Sequence, residues 1–461
     1  MKNLHCLRPA RRRMAGLSLI EMMIALVMAL IVAAGIITVF SSTSSSNKVQ
    51  AQMAALQEEG RFAIQSMRED LGNANGAYCA NTGGNASLVA SGISLDSLNA
   101  PTVTANTIAS VNNALYDDTT PLNDPGNAFA LPSFVFLRGY DCTATTCTPV
   151  DPKTAVNPAT LPVMGAAPGN HLSGTSVLTM RYLKPNAGWS IVPTGGTGST
   201  ITANSDGSVN TINLVQTGSE PPPSYFGAGD LAMLADCSTA YVFGASGQGS
   251  NTITVSGANY AKPKIANLTG GAAPRLFDFN KDFQTVTYYV KVVCVNGATT
   301  CPGGPTTGEL ERRVNGMDQP IVRGIERLDF QYGIIDANGN TQFLSATKVD
   351  NNNGGAIACP PGVQLASNVG YIATSGAGGA NQGCLWRAVK SIQVNILMDG
   401  QTPLYTLTPQ EMAYIYSPDG DTTPQPPTEA TRNIQPSAQG FPNQLLRREF
   451  TTLVALRNFN P

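Results

Sequence analysis

The sequence predicts an α+β protein in which one long N-terminal transmembrane and amphipathic helix packs on a large, mostly antiparallel β head domain with long loops. Three observations carry that expectation. Leu17–Phe40 read LSLIEMMIALVMALIVAAGIITVF, with a single charge. Apolar residues then recur at helical spacing as far as Leu71. Beyond Leu71, short stretches of period-two alternation are separated by Gly, Pro, Asn and Ser.

The chain begins with a short basic leader, residues 1–16, which carries Lys2, Arg8, Arg11, Arg12 and Arg13 and no acidic residue. Residues 17–40 follow, long enough at 1.5 Å per residue to cross a hydrocarbon core of ~30 Å with some tilt. The positive residues all precede this span, so the positive-inside rule leaves the leader in the cytoplasm and sends the rest of the chain across the membrane.

An ordinary signal peptide, a plain single-span anchor and a helix freed by cleavage before the span are the three readings of this arrangement. Glu21 separates them. A carboxylate near one end of an apolar span costs up to ~3 kcal/mol on insertion scales and is by default functional. An ordinary signal peptide is cut after its apolar stretch, but the small-residue candidate there, Ala33-Ala34-Gly35, is followed by more apolar residues. Cleavage at Gly16-Leu17 instead creates a cationic α-amine at a helix N-terminus, where the macrodipole disfavours positive charge. Glu21, one helical turn on, supplies the anion for that amine or for a neighbouring subunit's.

The segment Gly16-Leu17-Ser18-Leu19-Ile20-Glu21, placed after an Arg-rich leader, resembles the prepilin processing motif. Leu17 stands where that family usually has Phe. The resemblance implies that a prepilin peptidase cuts after Gly16 and methylates the new amine, and that Glu21 pairs with the amine of an adjacent subunit during assembly.

After Phe40 the polar run Ser41–Ser46 marks the exit from the membrane. Helix is expected to resume, because Val49, Met53, Leu56, Ile64, Met67 and Leu71 form a stripe with Gln57, Glu58, Arg61, Arg68 and Glu69 between them. Residues 17–71 then make one helix of ~80 Å, with Gly35, Gly60 and the serine run as its weak points. The expected organisation is a leader (1–16), a transmembrane half-helix (17–40), an amphipathic half-helix (41–71) and a β head (72–461).

In the head, Val286, Tyr288, Val290, Val292 and Cys294 alternate with Thr285, Thr287, Tyr289 and Lys291; 328–334 and 391–398 behave alike. Further strands are expected at 134–138, 177–183, 231–234, 252–255 and 450–456, with loop-rich insertions near 80–130, 140–172, 185–225 and 345–383. Several of these stretches resemble the PilW branch of minor pilins: Gly174–Tyr182, Gly229–Cys237, Ile321–Leu328 and Arg447–Asn458.

That resemblance implies a minor pilin that primes or caps a type IV pilus and supports its extension, motility and attachment. It implies storage as a single-pass inner-membrane protein with a periplasmic head, later display on the pilus, and other minor and major pilins as partners beside the peptidase. A tip adhesin is a further candidate partner. The size of the head suits a tip or initiation complex, where few neighbours must be accommodated. The alternatives are a type II secretion pseudopilin and a pilus-tip adhesin or DNA-uptake receptor that uses Thr/Asn/Gly-rich loops.

Charged residues make up 13% of the chain, about half the usual share. Without the leader there are 23 basic groups against 30 acidic ones, so no nucleic-acid footprint is indicated. Cys6 lies in the leader; Cys79, Cys142, Cys147, Cys237, Cys294, Cys301, Cys359 and Cys384 form an even set suited to an oxidising compartment. Local bridges Cys142–Cys147 and Cys294–Cys301 are expected, then Cys359–Cys384; zinc half-sites fit the spacings poorly.

His171, in a Gly/Pro/Asn-rich stretch, is expected to be an exposed loop residue, and no Walker loop, GxSxG elbow or HExxH occurs. The clustered oxygens of Asp336-Ala337-Asn338-Gly339-Asn340 and Asp419-Gly420-Asp421 miss the EF-hand pattern, and Asx-rich turns account for them without an ion. Neither catalysis nor a cofactor or metal is expected.

Overall fold

The computed structural model describes residues 18–74 and 78, four two-residue strands between 88 and 130, and 137–457 apart from 150–160, 185, 194, 229, 237–239, 256–273, 337 and 359–383. It divides into two compact units, one ending at Ala54 and one beginning at Ala55.

Helix α1 spans Leu19–Asn73. Gly35, the serine run and Gly60 all lie within the helix, so the expected weak points do not interrupt it. In the first unit its apolar side chains from Leu19 to Phe40 are exposed on every side, and it is the helix among the described residues long and apolar enough to cross a membrane. In the second unit one face is buried, through Leu56, Gly60, Ala63, Met67, Asp70 and Leu71.

The β region follows. Two small pairs come first, β1 (Leu88–Val89) with β2 (Gly92–Ile93) and β3 (Thr102–Val103) with β4 (Phe129–Ala130). Then come β5 (Leu137–Cys142), β6 (Cys147–Thr148), β7 (Met164–Gly165), β8 (His171–Leu172) and β9 (Val177–Leu183). Next are β10 (Trp189–Ser190), β11 (Thr200–Ala203), β12 (Val209–Asn213), β13 (Leu231–Ala235), β14 (Ala240–Ser246), β15 (Thr252–Val255) and β16 (Arg275–Asp278). A single turn, α2 (Phe279–Asp282), leads into β17 (Phe283–Cys294), β18 (Thr306–Val314), β19 (Met317–Arg323), β20 (Ile325–Ile335) and β21 (Thr341–Leu344). The chain closes with α3 (Ala346–Asp350), β22 (Val389–Asp399), α4 (Pro409–Met412) and β23 (Arg447–Ala455).

Three larger sheets result. The first runs β19-β18-β17-β9-β5-β6, with β8 on β17 and β7 on β8. The second is seven-stranded, β10-β16-β13-β14-β15-β12-β11, and the third four-stranded, β21-β20-β22-β23. Apart from β7–β8, every ladder between named strands is antiparallel, so the α+β expectation holds. Asp141 joins elements distant in sequence: its carboxylate accepts from the amides of Ala346 (3.0 Å) and Thr347 (2.8 Å), holding the start of α3 against β5.

Some parts depart from the expected organisation, and two bear on the architecture most. The stretch 185–225, expected to be loop-rich, contributes β10, β11 and β12 to the seven-stranded sheet, where Trp189, Val209 and Ile212 help form an apolar core with Phe243, Ile253 and Leu276. The β18–β19 hairpin was not expected at all. Charges at Glu309, Glu311, Arg312 and Arg313 obscure its alternation, but Asn315 and Gly316 both take positive φ (49° and 87°), the turn an Asn-Gly pair favours in a tight hairpin.

Candidate functional site

At the start of the described chain the Ser18 amide donates to the Glu21 carboxylate at 3.0 Å, so Glu21 caps the first turn of α1. Leu19 and Ile20 beside it are exposed. Gly16 and Leu17, the expected cleavage pair, lie outside the described residues. An exposed apolar helix opened by one carboxylate has the chemistry of an association element: its side chains gain by leaving water, and the carboxylate offers charge to a cationic group that approaches the helix end.

Further along, α1 is tied to the head by a residue on its buried stripe. Asp70 follows Met67 by three positions and Ala63 by seven, which turns a carboxylate inward among apolar neighbours. It accepts hydrogen bonds from Tyr182 of β9 and Tyr288 of β17 (2.6 Å each) and from Arg312 of β18 (Nε 2.6 Å, Nη2 2.9 Å). These partners come from three adjacent strands, whose pairing places Tyr288 directly opposite Arg312.

Burial and then the Asp70 charge raise the pKa of both tyrosines, so the hydroxyls stay protonated and donate. The hydrogen bonds to Asp70 raise that of Arg312. A carboxylate with two phenols and a two-pronged guanidinium has its lone pairs fully used, the condition under which a buried ion pair is tolerated.

Nearly three helical turns upstream, Gly60 meets β23. A Cβ added there would sit 2.7 Å from the ring of Phe450, so the absence of a side chain lets the strand approach the helix. Between the helix and the β19 edge lies an open groove of about 640 Å³, bordered by Glu58, Glu59, Phe62, Pro320, Ile321 and Arg323.

The Asp70 cluster was not foreseen from sequence. Its signal was present: an acidic residue in phase with the apolar stripe of an amphipathic helix.

Cys142 and Cys147 form a disulfide across the β5–β6 hairpin, and Cys294 and Cys301 form one after β17. Cys79, Cys237 and Cys359 lie outside the described residues, so the expected Cys359–Cys384 bridge does too; Cys384 opens the 3-10 turn Cys384–Ala388.

The expectation for His171 is corrected. It is fully buried in β8, not exposed in a loop, and packs edge-on against Tyr289 at 6.0 Å. Burial, outweighing the Thr175 hydrogen bond, pushes its pKa down to about 4. Four residues inside the Gly/Pro-rich stretch, Met164, Gly165, His171 and Leu172, pair into strands, which carries the histidine into the sheet.

The oxygens considered for calcium have protein partners. Asp336 accepts from the amides of Asn338 and Asn340 (both 2.9 Å) and from Gln342, as in an Asx turn. Asp419 pairs with Arg327 (3.3 Å) and Asp421 with Arg432 (3.1 Å).

Taken together, these features define a class: a β-rich head clamped to the second half of a helix whose first half is an exposed apolar element. Residues 288–458 match the family model PilW, Type IV Pilus-assembly protein W. The PilW-type resemblance seen in the sequence is borne out over this region, which contains Tyr288, Arg312, Phe450 and all of the four-stranded sheet. No curated protein and no solved structure matches the chain.

Proposed function

We propose that this chain is a minor pilin that primes or caps a type IV pilus. The PilW match over residues 288–458 carries the reading. The apolar first half of α1 and the position of Glu21 in its first turn support it. In this reading a prepilin peptidase cleaves between Gly16 and Leu17, residues 17–40 hold the product in the inner membrane with the head in the periplasm, and Glu21 pairs with the free amine of an adjacent pilin subunit. The Asp70 clamp makes the head travel with the helix when the subunit is drawn into a filament.

The test is a deletion strain complemented with wild-type or Glu21→Ala protein, scored for surface pili and for the amino-terminal mass of the protein. Loss of pili on deletion, a mature chain beginning at Leu17, and a Glu21→Ala protein that is cleaved yet missing from sheared pili are expected. Normal pili in the deletion strain, or an intact Met1 on the wild-type protein, would overturn the proposal.

A further inference from the structure

The disulfide Cys142–Cys147 lies beside two other donors. One ring nitrogen of His171 and the two sulfurs all fall within 4.8 Å of one another. The sulfur of Met164, directly opposite His171 in the β7–β8 pairing, is 3.8 Å from the sulfur of Cys147. Tyr140, Val177 and Tyr289 close the apolar side of this group, with Cys147 buried among them and Cys142 half-buried.

The hydrogen bonds of His171 fix which nitrogen is free. Nε2 lies 3.0 Å from the carbonyl of Thr175 and 3.1 Å from its hydroxyl, and that hydroxyl gives its own proton to the carbonyl of Leu172 at 2.7 Å. A carbonyl can only accept, so Nε2 carries the hydrogen and donates it to Thr175. Nδ1 is then bare, and this buried atom has no hydrogen-bond partner. A ring with one nitrogen anchored to a carbonyl while the lone pair of the other stands open is the arrangement that surrounding residues impose on a histidine ligand.

We propose that the dithiol form of this site binds a thiophilic d10 cation, copper(I) or zinc(II), through Cys142, Cys147 and Nδ1 of His171, with the Met164 thioether as the fourth donor. In the disulfide form each sulfur spends its electrons on the other, and the site is closed. A dithiol reductant opens it by giving two electrons and two protons, becoming a disulfide itself and leaving two thiols. The cation then displaces both thiol protons to solvent, so binding is coupled to redox state and weakens as pH falls. Two thiolates, an imidazole and a thioether contain no oxygen donor, which rules out a hard cation such as calcium or magnesium. All four donors lie before residue 288, outside the PilW match, so the inference stands apart from the proposed function.

The test uses the full chain in detergent, reduced anaerobically with dithiothreitol and desalted. Copper(I) is titrated against bicinchoninate and zinc(II) against a chromophoric chelator, for wild type and for the Cys142→Ser/Cys147→Ser double variant, so that any metal taken up by the remaining cysteines is common to both. Wild type should take up one equivalent more than the double variant of at least one metal when reduced, and no more when oxidised. X-ray absorption at that metal's edge should show one nitrogen with two or three sulfurs.

His171→Gln should weaken the extra equivalent 10- to 100-fold. Met164→Leu, a conservative change at a half-buried position, should weaken copper(I) at least tenfold and leave zinc(II) nearly unchanged if zinc binds through the other three donors. Equal stoichiometry for wild type and the cysteine double variant with both metals would overturn the proposal. So would a Met164→Leu protein with wild-type affinity for copper(I) if copper is the metal retained.

Discussion

Replacing Asp70 with Ala tests whether the head is fixed to the helix by this one carboxylate. The substitution removes the acceptor for four hydrogen bonds of 2.6–2.9 Å and leaves two buried phenols and a guanidinium facing the gap. Charge-assisted bonds are worth ~1.5–3 kcal/mol each, but adding four of them would ignore what it costs to desolvate Asp70. Breaking a buried pair typically costs ~3–5 kcal/mol. The Arg312 side chain keeps 20% of its exposure, so water partly rescues it and the lower end, ~3 kcal/mol, is expected.

Trp189 in the seven-stranded sheet and Trp386 beside the four-stranded one are both fully buried and report unfolding in separate parts of the head. Urea titration of the full chain in detergent, followed by their fluorescence, measures the loss. Arg312→Met alone should cost less than Asp70→Ala, and the double variant should cost far less than the two single losses combined. Additive losses, or an Asp70→Ala midpoint equal to wild type, would refute the view that these residues act as one cluster.

Two further substitutions probe other contacts of the head. Gly60→Ala gains ~1 kcal/mol of helix propensity but drives a methyl into the Phe450 ring, so a net loss of ~1–2 kcal/mol is expected; combined with Phe450→Leu it should become neutral or stabilising, and a Gly60→Ala protein more stable than wild type would count against the close approach. Asp399 is fully buried, and desolvation followed by Glu326 and Glu59, opposed by the Gln401 amide and Arg447, pushes its pKa up to about 7. The folded state therefore holds this proton more tightly than the unfolded one, so stability is greatest below the ordinary carboxylate range and is lost as pH rises to about 7. Asp278 and Glu311, also raised to about 7, add in the same direction. Asp399→Asn should raise the melting temperature at pH 8 by removing a penalty on the order of a few kcal/mol, and should flatten the pH 5–8 profile; an unchanged profile would exclude Asp399 as its source.

How much of this was legible in the sequence depended on whether the deciding interaction was local. Helix α1 was legible because its apolar stripe and its apolar span are written in consecutive residues, and β9 and β15 were placed residue for residue because each is a short run rich in apolar and β-branched residues bounded by turn-forming ones. The β18 strand was not, since Glu309, Glu311, Arg312 and Arg313 look like a solvated run until their partners are known. In the fold, Glu309 meets Arg323, Glu311 meets Lys291 and Arg312 meets Asp70, 242 positions away. His171 misled for the same reason: glycine and proline around it mark turns correctly, yet two residues of β8 pairing with β7 and β17 suffice to bury the ring. Local pattern fixes which segments can be helix or strand, while pairing between distant segments decides which polar side chains end up inside, and in this protein the side chains that clamp the helix belong to the second kind. A carboxylate on an apolar helical stripe is the one local trace such pairing leaves. Asp70 shows it in the buried half of α1, where Arg312 of β18 completes it, while Glu21, in the exposed half, takes the Ser18 amide as its hydrogen-bond donor.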